Sequence, residues 1–474
     1  MLNIDEASIM EIQKEMDKGN LSSVDLVKYY VERIAKYDKA GPFLNSILEL
    51  NPDMLFIAES LDNERRRKGK RSLMHGIPVI VKDNINTGDK MHTSGGSLAL
   101  ADSYAPEDAF VIKKLREAGA IIMGKSNMTE FANFMAENMP CGYSSRSGQV
   151  LNPYDHTKDP SGSSSGSAIA VTSNLCMVAV GTETDGSILS PSRVNCIVGI
   201  KPTVGLVSRS GIIPISHSQD SAGPMARTVS DAAILLSAMI GTDGKDPATW
   251  RSEGVQPEQL LNAIINGDID GLRIGVSTVY YEKFTPGEQK ILDNAISVLQ
   301  QKGAVIIKQD KLTKGLPDEG SSVLLHEFKS GLNHYLSQLR HQKIRTLADI
   351  IEFNRLQPEK TLKYGQKILE LSEETSGSLT ESKYIHDRMR DIEFAKINGI
   401  DKIMDEYKLD ALMFLESTRL AAVSGYPAII VPAGIDNSTP YGLQFIGRQF
   451  SEPTIIKLGY IYEQATKHRI APPL

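Results

Sequence analysis

The sequence predicts an α/β protein, a single large domain over residues 1–474 with a central mixed β-sheet covered by helices on both faces. Three observations predict it. Short β-branched runs alternate with helical stretches along most of the chain, the pattern of a sheet buried on both sides. The composition, 41% hydrophobic and 23% charged, is that of an ordinary globular protein with a sizeable core. Neither a fixed-period repeat nor a linker divides the 474 residues, although a rule of roughly 150 residues per domain would suggest about three units.

In chain order, residues 1–70 read as helices. Ser22 with Asp25 three positions on is a capping box, followed by Leu26, Tyr30, Val31 and Ile34 at helical spacing. A catalytic core is expected over 71–320. It opens with a buried strand from Ile77 to Val81, a helix from Phe110 to Ala118 and a strand from Ala120 to Met123. A helix from Ser167 to Leu175 and a strand from Met177 to Val180 follow. The Gly-, Ser-, Pro- and Thr-rich stretch over about 140–225 is interrupted by apolar runs, so it reads as functional loops, not as a spacer. Ile274 to Val276 and Ala304 to Ile307 read as strands around a helix at about 287–301. Residues 321–407 read as a helical lid or substrate region. Residues 408–474 complete the core with strands at Ala411 to Phe414, Ala428 to Val431 and Leu443 to Ile446, and a helix from Glu452.

Composition excludes several classes. Lys plus Arg is 52 and Asp plus Glu is 58, a formal net charge of −6, which argues against nucleic acid as the main partner. No apolar stretch approaches ~20 residues, so no membrane span is expected. The acidic, amphipathic start MLNIDEASIMEIQKEM does not read as a signal peptide. The three cysteines Cys141, Cys176 and Cys196 have no CxxC spacing; reduced thiols in a cytoplasmic protein are the expectation. Nothing in the sequence sets an oligomeric state.

Some motifs fail physically. Gly119 to Ser126 satisfies the phosphate-loop pattern, but a helix precedes it and its four intervening residues are apolar, so it reads as a buried strand. Gly162 to Gly166 fits the nucleophile-elbow pattern around Ser164, yet NPYDHTKDPS before it cannot be the strand that an elbow requires. His326-Glu327 lacks a histidine four positions on, and no G-x-G occurs. The nine histidines show no ligand spacing, and neither metal nor cofactor is expected.

Three stretches carry chemistry: HGIPVIVKDNI with Lys82 directly after the strand, SGSSSGS over 161–167, and GTETDGSILSP over 181–191 with Ser187 after Gly186. Lys82 follows apolar residues, so its stem is expected to enter the interior. A buried lysine without a carboxylate partner loses its proton readily and can act as a base; pairing with Asp83 is the competing expectation. Glycine before Ser187 lets successive N–H groups converge, as an oxyanion hole requires. A serine nucleophile, a second serine and a lysine base need no histidine.

Together the three stretches resemble the amidase signature family, and the resemblance covers nearly the whole chain, including 199–228 and AAVSGYPAIIVPAG near the end. It implies hydrolysis of a carboxamide to carboxylate and ammonia, with no cofactor. The implied triad is Lys82 as base, Ser163 as bridge and Ser187 as nucleophile. Ser163 is selected because the family places its bridge 24 positions before the nucleophile, as Ser163 stands to Ser187. The resemblance also implies a cis peptide bond at Ser163, oxyanion donors from the backbone of Thr184, Asp185, Gly186 and Ser187, and a supporting network through Thr182 and Ser164. Asn133 and Phe134 are the expected substrate contacts.

Departures from the family pattern are Ser161 and Ser165 for glycines, Glu183 for Asp, Asp185 for Gly and Leu189 for Arg. The variants SSSG and GTETDGS resemble bacterial peptide amidases, which act on C-terminal peptide amides. The chain between Leu415 and Ala421 is shorter than in those enzymes, with ESTRL in place of an apolar segment, which bears on the pocket wall. The alternatives are the amidase component of a tRNA-dependent amidotransferase, a broad or fatty-acyl amidase, and a non-catalytic binding protein on the same fold.

Overall fold

The computed structural model describes residues 3–252, 254–265, 268–278, 281–309, 322–339, 343–436 and 439–474. Its strands in chain order are β1 (Ile47–Leu50), β2 (Pro78–Lys82), β3 (Ile121–Ser126), β4 (Tyr143–Ser144), β5 (Gly148–Gln149), β6 (Val178–Glu183), β7 (Val198–Lys201), β8 (Ser221–Ala226), β9 (Arg273–Ser277), β10 (Val305–Gln309), β11 (Ala411–Leu415), β12 (Ala428–Asp436) and β13 (Thr439–Ile446). Eleven of them form one mixed sheet in the order β1-β3-β2-β6-β8-β7-β12-β13-β11-β9-β10, while β4 and β5 make a separate hairpin. The expected single α/β domain with a mixed sheet is present.

Register explains how distant motifs meet. β2 pairs in parallel with β3 and with β6, Val81 standing opposite Val180. Lys82 and Thr182 therefore leave the sheet at the same edge, where strand ends of α/β sheets build sites. The helix Ser165–Thr172 packs on β2 and β6. Running back against these parallel strands, it delivers its N-terminal serines to that edge.

The helix Ser165–Thr172 begins two residues before the expected start at Ser167. Gly166 permits this. A Cβ there would lie 2.2 Å from the Asn127 carbonyl oxygen and 2.4 Å from that of Ser46, so only glycine lets the backbones approach. Five strands have no counterpart among the expected ones. β1 lies inside the segment read as helices, and β4, β5, β7 and β8 lie in the Gly-, Ser-, Pro- and Thr-rich stretch. SAGPMA holds no β-branched residue, yet β8 is paired on both edges by β6 and β7 and wholly buried; tertiary pairing overrides local propensity there.

The core is divided. One large apolar cluster lines the sheet. A second lies under the helices Val323–Gln338, Leu347–Leu356 and Lys367–Glu373, which pack on Phe131, Met135, Ile213 and Ile215. The expected boundary between core and helical region at 320/321 lies outside the described residues. Among the described residues no helix is long and apolar enough to cross a membrane, and no cluster of possible metal ligands occurs.

Gly166→Ala should destabilise the protein by about 1–3 kcal/mol through overpacking against backbone that cannot yield. A thermal melt checks this; an unchanged melting temperature would contradict the close approach.

Candidate active site

Lys82 ends β2 with no exposed surface. Its Nζ lies 2.8 Å from Ser163 Oγ, 3.0 Å from Ser164 Oγ and 3.2 Å from the Thr182 carbonyl oxygen. The competing partner is engaged elsewhere: Asp83 accepts from the Ser94 hydroxyl and from the Gly96 N–H at 3.0 Å, and Arg146 stands 3.5 Å away. Burial lowers the Lys82 pKa to about 7, against the opposing pull of the Glu183 and Asp220 carboxylates.

The hydrogen-bond inventory around this amine assigns its lone pair. Ser164 Oγ lies 3.0 Å from the Thr182 carbonyl and donates to it. That uses its one proton, so towards Lys82 it can only accept. The Thr182 carbonyl also only accepts. A neutral amine has two protons for these two acceptors, and its lone pair is left facing Ser163 Oγ, whose hydroxyl can donate to it. Ser163 is 1% exposed, follows a cis Gly162–Ser163 peptide bond, and its carbonyl accepts from the Thr129 N–H at 3.1 Å.

Ser187 lies in the turn between β6 and the helix Leu189–Val194 and is 8% exposed. Its carbonyl accepts from the Ser164 N–H at 3.2 Å, which seats the turn on the serine loop. The Glu183 carboxylate closes the turn from inside by accepting the Ile188 and Leu189 N–H groups at 2.7 and 2.9 Å. Burial raises the Glu183 pKa, and Lys201 lowers it. Gly186 takes φ +83°, a left-handed conformation suited to glycine. Its carbonyl accepts from the Ser190 N–H at 2.8 Å. Among the described residues no hydrogen bond uses the N–H groups of Asp185, Gly186 or Ser187.

Two departures from the family pattern meet at this turn. Asp185 is ion-paired with Arg419 at 2.6 Å. Beside it Ser190 bonds Ser417 at 2.9 Å, and Arg193 pairs with Glu416 at 2.6 Å. Residues 416–419 are thus fastened along the turn that carries Ser187 and the helix that follows it.

A cavity of about 720 Å³ adjoins the turn, lined among others by Asn84, Thr182, Thr184, Asp220 and Tyr335. Sequence reasoning missed Asn84, whose Nδ2 donates to Thr182 Oγ1 at 2.9 Å. It also missed Gln219 and Asp220, which stand in a stretch that carried the resemblance, and Arg419, which stands in the departing segment ESTRL; none was singled out as a nucleophile or base, so residue chemistry gave no cue. Asn133 and Phe134 sit at the end of a left-handed turn, with φ +46°, +55° and +69° at Phe131, Ala132 and Asn133. Phe134 packs 5.0 Å from the Phe328 ring. It is Ala132, not Asn133 or Phe134, that lines the cavity.

In protein labelled with ¹³C at lysine Cε, three lysine signals should titrate below pH 9, since Lys125 and Lys201, also buried, are lowered to about 8. The lowest, with a midpoint near 7, should vanish in Lys82→Met. A Lys82 midpoint above 9 would contradict the dry, unpaired amine.

The amidase family profile matches residues 25–414. A probable amidase of Arabidopsis thaliana is 42% identical over 484 residues, covering 99% of this chain and 92% of the relative. The native peptide amidase of Stenotrophomonas maltophilia superposes with TM-score 0.93 at 42% identity, over 99% of this chain and 98% of that one. One component of the glutamyl-tRNA(Gln) amidotransferase of Legionella pneumophila is 30% identical over 98% of both chains. With an eleven-stranded sheet and end-to-end likeness to amidases, the chain belongs to the amidase signature family and is an amide-hydrolysing enzyme.

Proposed function

We propose that this amidase works through an acyl-enzyme on Ser187, with Ser163 passing the proton to Lys82, and that it acts on C-terminal peptide amides. The observation that carries the mechanism is the Lys82 amine, 2.8 Å from Ser163 and lowered to about 7. The Ser187 oxygen attacks the amide carbon while its proton passes to Ser163 and the Ser163 proton to neutral Lys82. The backbone N–H groups from Thr184 through Ser187 receive the developing oxyanion, each donor contributing about 3 kcal/mol. As the C–N bond breaks, the relay runs backwards and protonates the leaving nitrogen, which departs as ammonia. Water then attacks the Ser187 ester, its proton following the same path, and the carboxylate is released.

Support for the peptide amide comes from likeness along the whole chain to a peptide amidase, and from a cavity of about 720 Å³, within the range of roughly 300–1,000 Å³ usual for small-molecule sites. The helical region over 321–407 serves as lid and specificity element, its helix Val323–Gln338 giving Tyr335 to the cavity. Unpaired thiols at Cys141, Cys176 and Cys196 suit a reducing, cytoplasmic setting. No cofactor takes part in the proposed steps. The amidotransferase reading rests on the 30% identical relative; it requires partner proteins, ATP and tRNA.

Ammonia release from acetyl-Gly-Phe amide should proceed without ATP or tRNA and exceed that from glutamine, a simple aliphatic amide or an anilide. Ser187→Ala should lower kcat at least about 10³-fold. Since only neutral Lys82 accepts a proton, kcat/KM should rise tenfold per pH unit below about 7 and level off above it. Preference for another amide would move the substrate and leave the triad. Activity only with ATP and tRNA would favour the amidotransferase reading, and unchanged rates in Ser187→Ala would overturn the nucleophile.

A further inference from the structure

The turn after β6 is held from outside by a second loop. Gln219 Nε2 donates to the Thr184 carbonyl at 3.0 Å, and the Thr184 hydroxyl donates to Asp220 Oδ1 at 2.5 Å. Gln219 is 1% exposed. Asp220 Oδ2 accepts the N–H groups of Ile215 and Ser216, both at 2.9 Å, so the carboxylate is locked to its own turn before it reaches Thr184. That turn is braced in its own right. Glu327, fully buried on the helix Val323–Gln338, accepts from the Ser216 hydroxyl at 2.5 Å and from the Ser218 N–H at 3.1 Å. Tyr384 donates to the other Glu327 oxygen at 2.9 Å.

In a trans peptide the C=O and the following N–H point in opposite directions. A Thr184 carbonyl bound to Gln219 therefore turns the Asp185 N–H away from Gln219. The Gly186 carbonyl, bound to the Ser190 N–H at 2.8 Å, turns the Ser187 N–H in the same manner. The first of these depends on the separate loop that carries Gln219, the second on the helix Leu189–Val194 that directly follows the turn.

We propose that Gln219 and Asp220 are positioning residues of the oxyanion site: by holding the carbonyl and hydroxyl of Thr184 they aim the Asp185 N–H at the oxygen of the tetrahedral intermediate. This rests on the acyl-enzyme reading of Ser187. The loss expected on removing either hold is one of transition-state stabilisation, because the donor meets a charge that exists only there. The link also runs through Glu327 into the helical region, so the element that covers the cavity is mechanically joined to the oxyanion donors.

The test uses the full chain with acetyl-Gly-Phe amide as substrate and acetyl-Gly-phenylalaninal as a probe that forms a tetrahedral adduct. Gln219→Met keeps the side-chain length and removes the donor. It should lower kcat about 10- to 100-fold with KM within about twofold, and weaken the aldehyde by a similar factor. Thr184→Val should do the same, whereas Thr184→Ser, which keeps the hydroxyl, should recover most of the rate. The double variant Gln219→Met/Thr184→Val should lose little more than the worse single one. If Gln219→Met fails to fold, the Thr184→Val and Thr184→Ser pair decides alone. A rise in KM at constant kcat, unchanged aldehyde affinity, or full additivity would overturn the proposal. Its failure differs from failure of the acyl-enzyme reading, which appears instead as retained activity in Ser187→Ala.

Discussion

The site depends on one constraint: a lysine amine buried at the end of an interior strand with hydroxyls and a carbonyl and, among the described residues, no carboxylate in hydrogen-bonding reach. Burying a charge unpaired is costly, and a group in that position gives up its charge instead. Here the surroundings make the neutral form the comfortable one, with two acceptors for its two protons and a serine hydroxyl facing its lone pair. The neighbouring carboxylates would undo this if left alone. Glu183 is instead engaged by two N–H groups and the pull of Lys201, and Asp220 by two N–H groups and Thr184. Both still pull on Lys82, but neither forms a salt bridge with it among the described residues.

From this amine outward the fold reads as a set of supports. Parallel pairing of β2 with β6 puts Lys82 beside the strand that leads to Ser187. The tight seat of Gly166 fixes the helix that brings Ser163 and Ser164. The charged segment 416–419 then binds the outer side of the turn through Asp185–Arg419 and Arg193–Glu416. Asp185 and Arg419, 234 positions apart in the chain, are joined by an ion pair at this turn.

Much of this was legible in the sequence. A lysine after an apolar run, a serine loop and a Gly-Ser turn gave the three clusters, because burial and backbone freedom leave marks in local composition. Most element boundaries strayed by three residues or fewer where helices and strands met loops, as between Ser167 and the observed start at Ser165, but β12 runs five residues past the expected Val431 and β13 begins four before the expected Leu443. What stayed hidden was long-range. β8 has no strand-like composition and exists through its neighbours. Asn84, Gln219 and Asp220 act through single hydrogen bonds to residues 35 to 98 positions away, and no spacing rule announces such pairs. Asn133 and Phe134 were offset by one and two residues from Ala132, which lines the cavity, in a stretch where three successive residues are left-handed.

The most direct measurement is acid-quenched mass spectrometry of the enzyme reacting with the p-nitrophenyl ester of acetyl-Gly-Phe, the acyl group being located by peptide fragmentation. The account predicts one acyl group, on Ser187, forming at pH 8 far faster in the parent protein than in Lys82→Met. An acyl group on Ser163 or Ser164, or formation on Ser187 at the parental rate without Lys82, would contradict it.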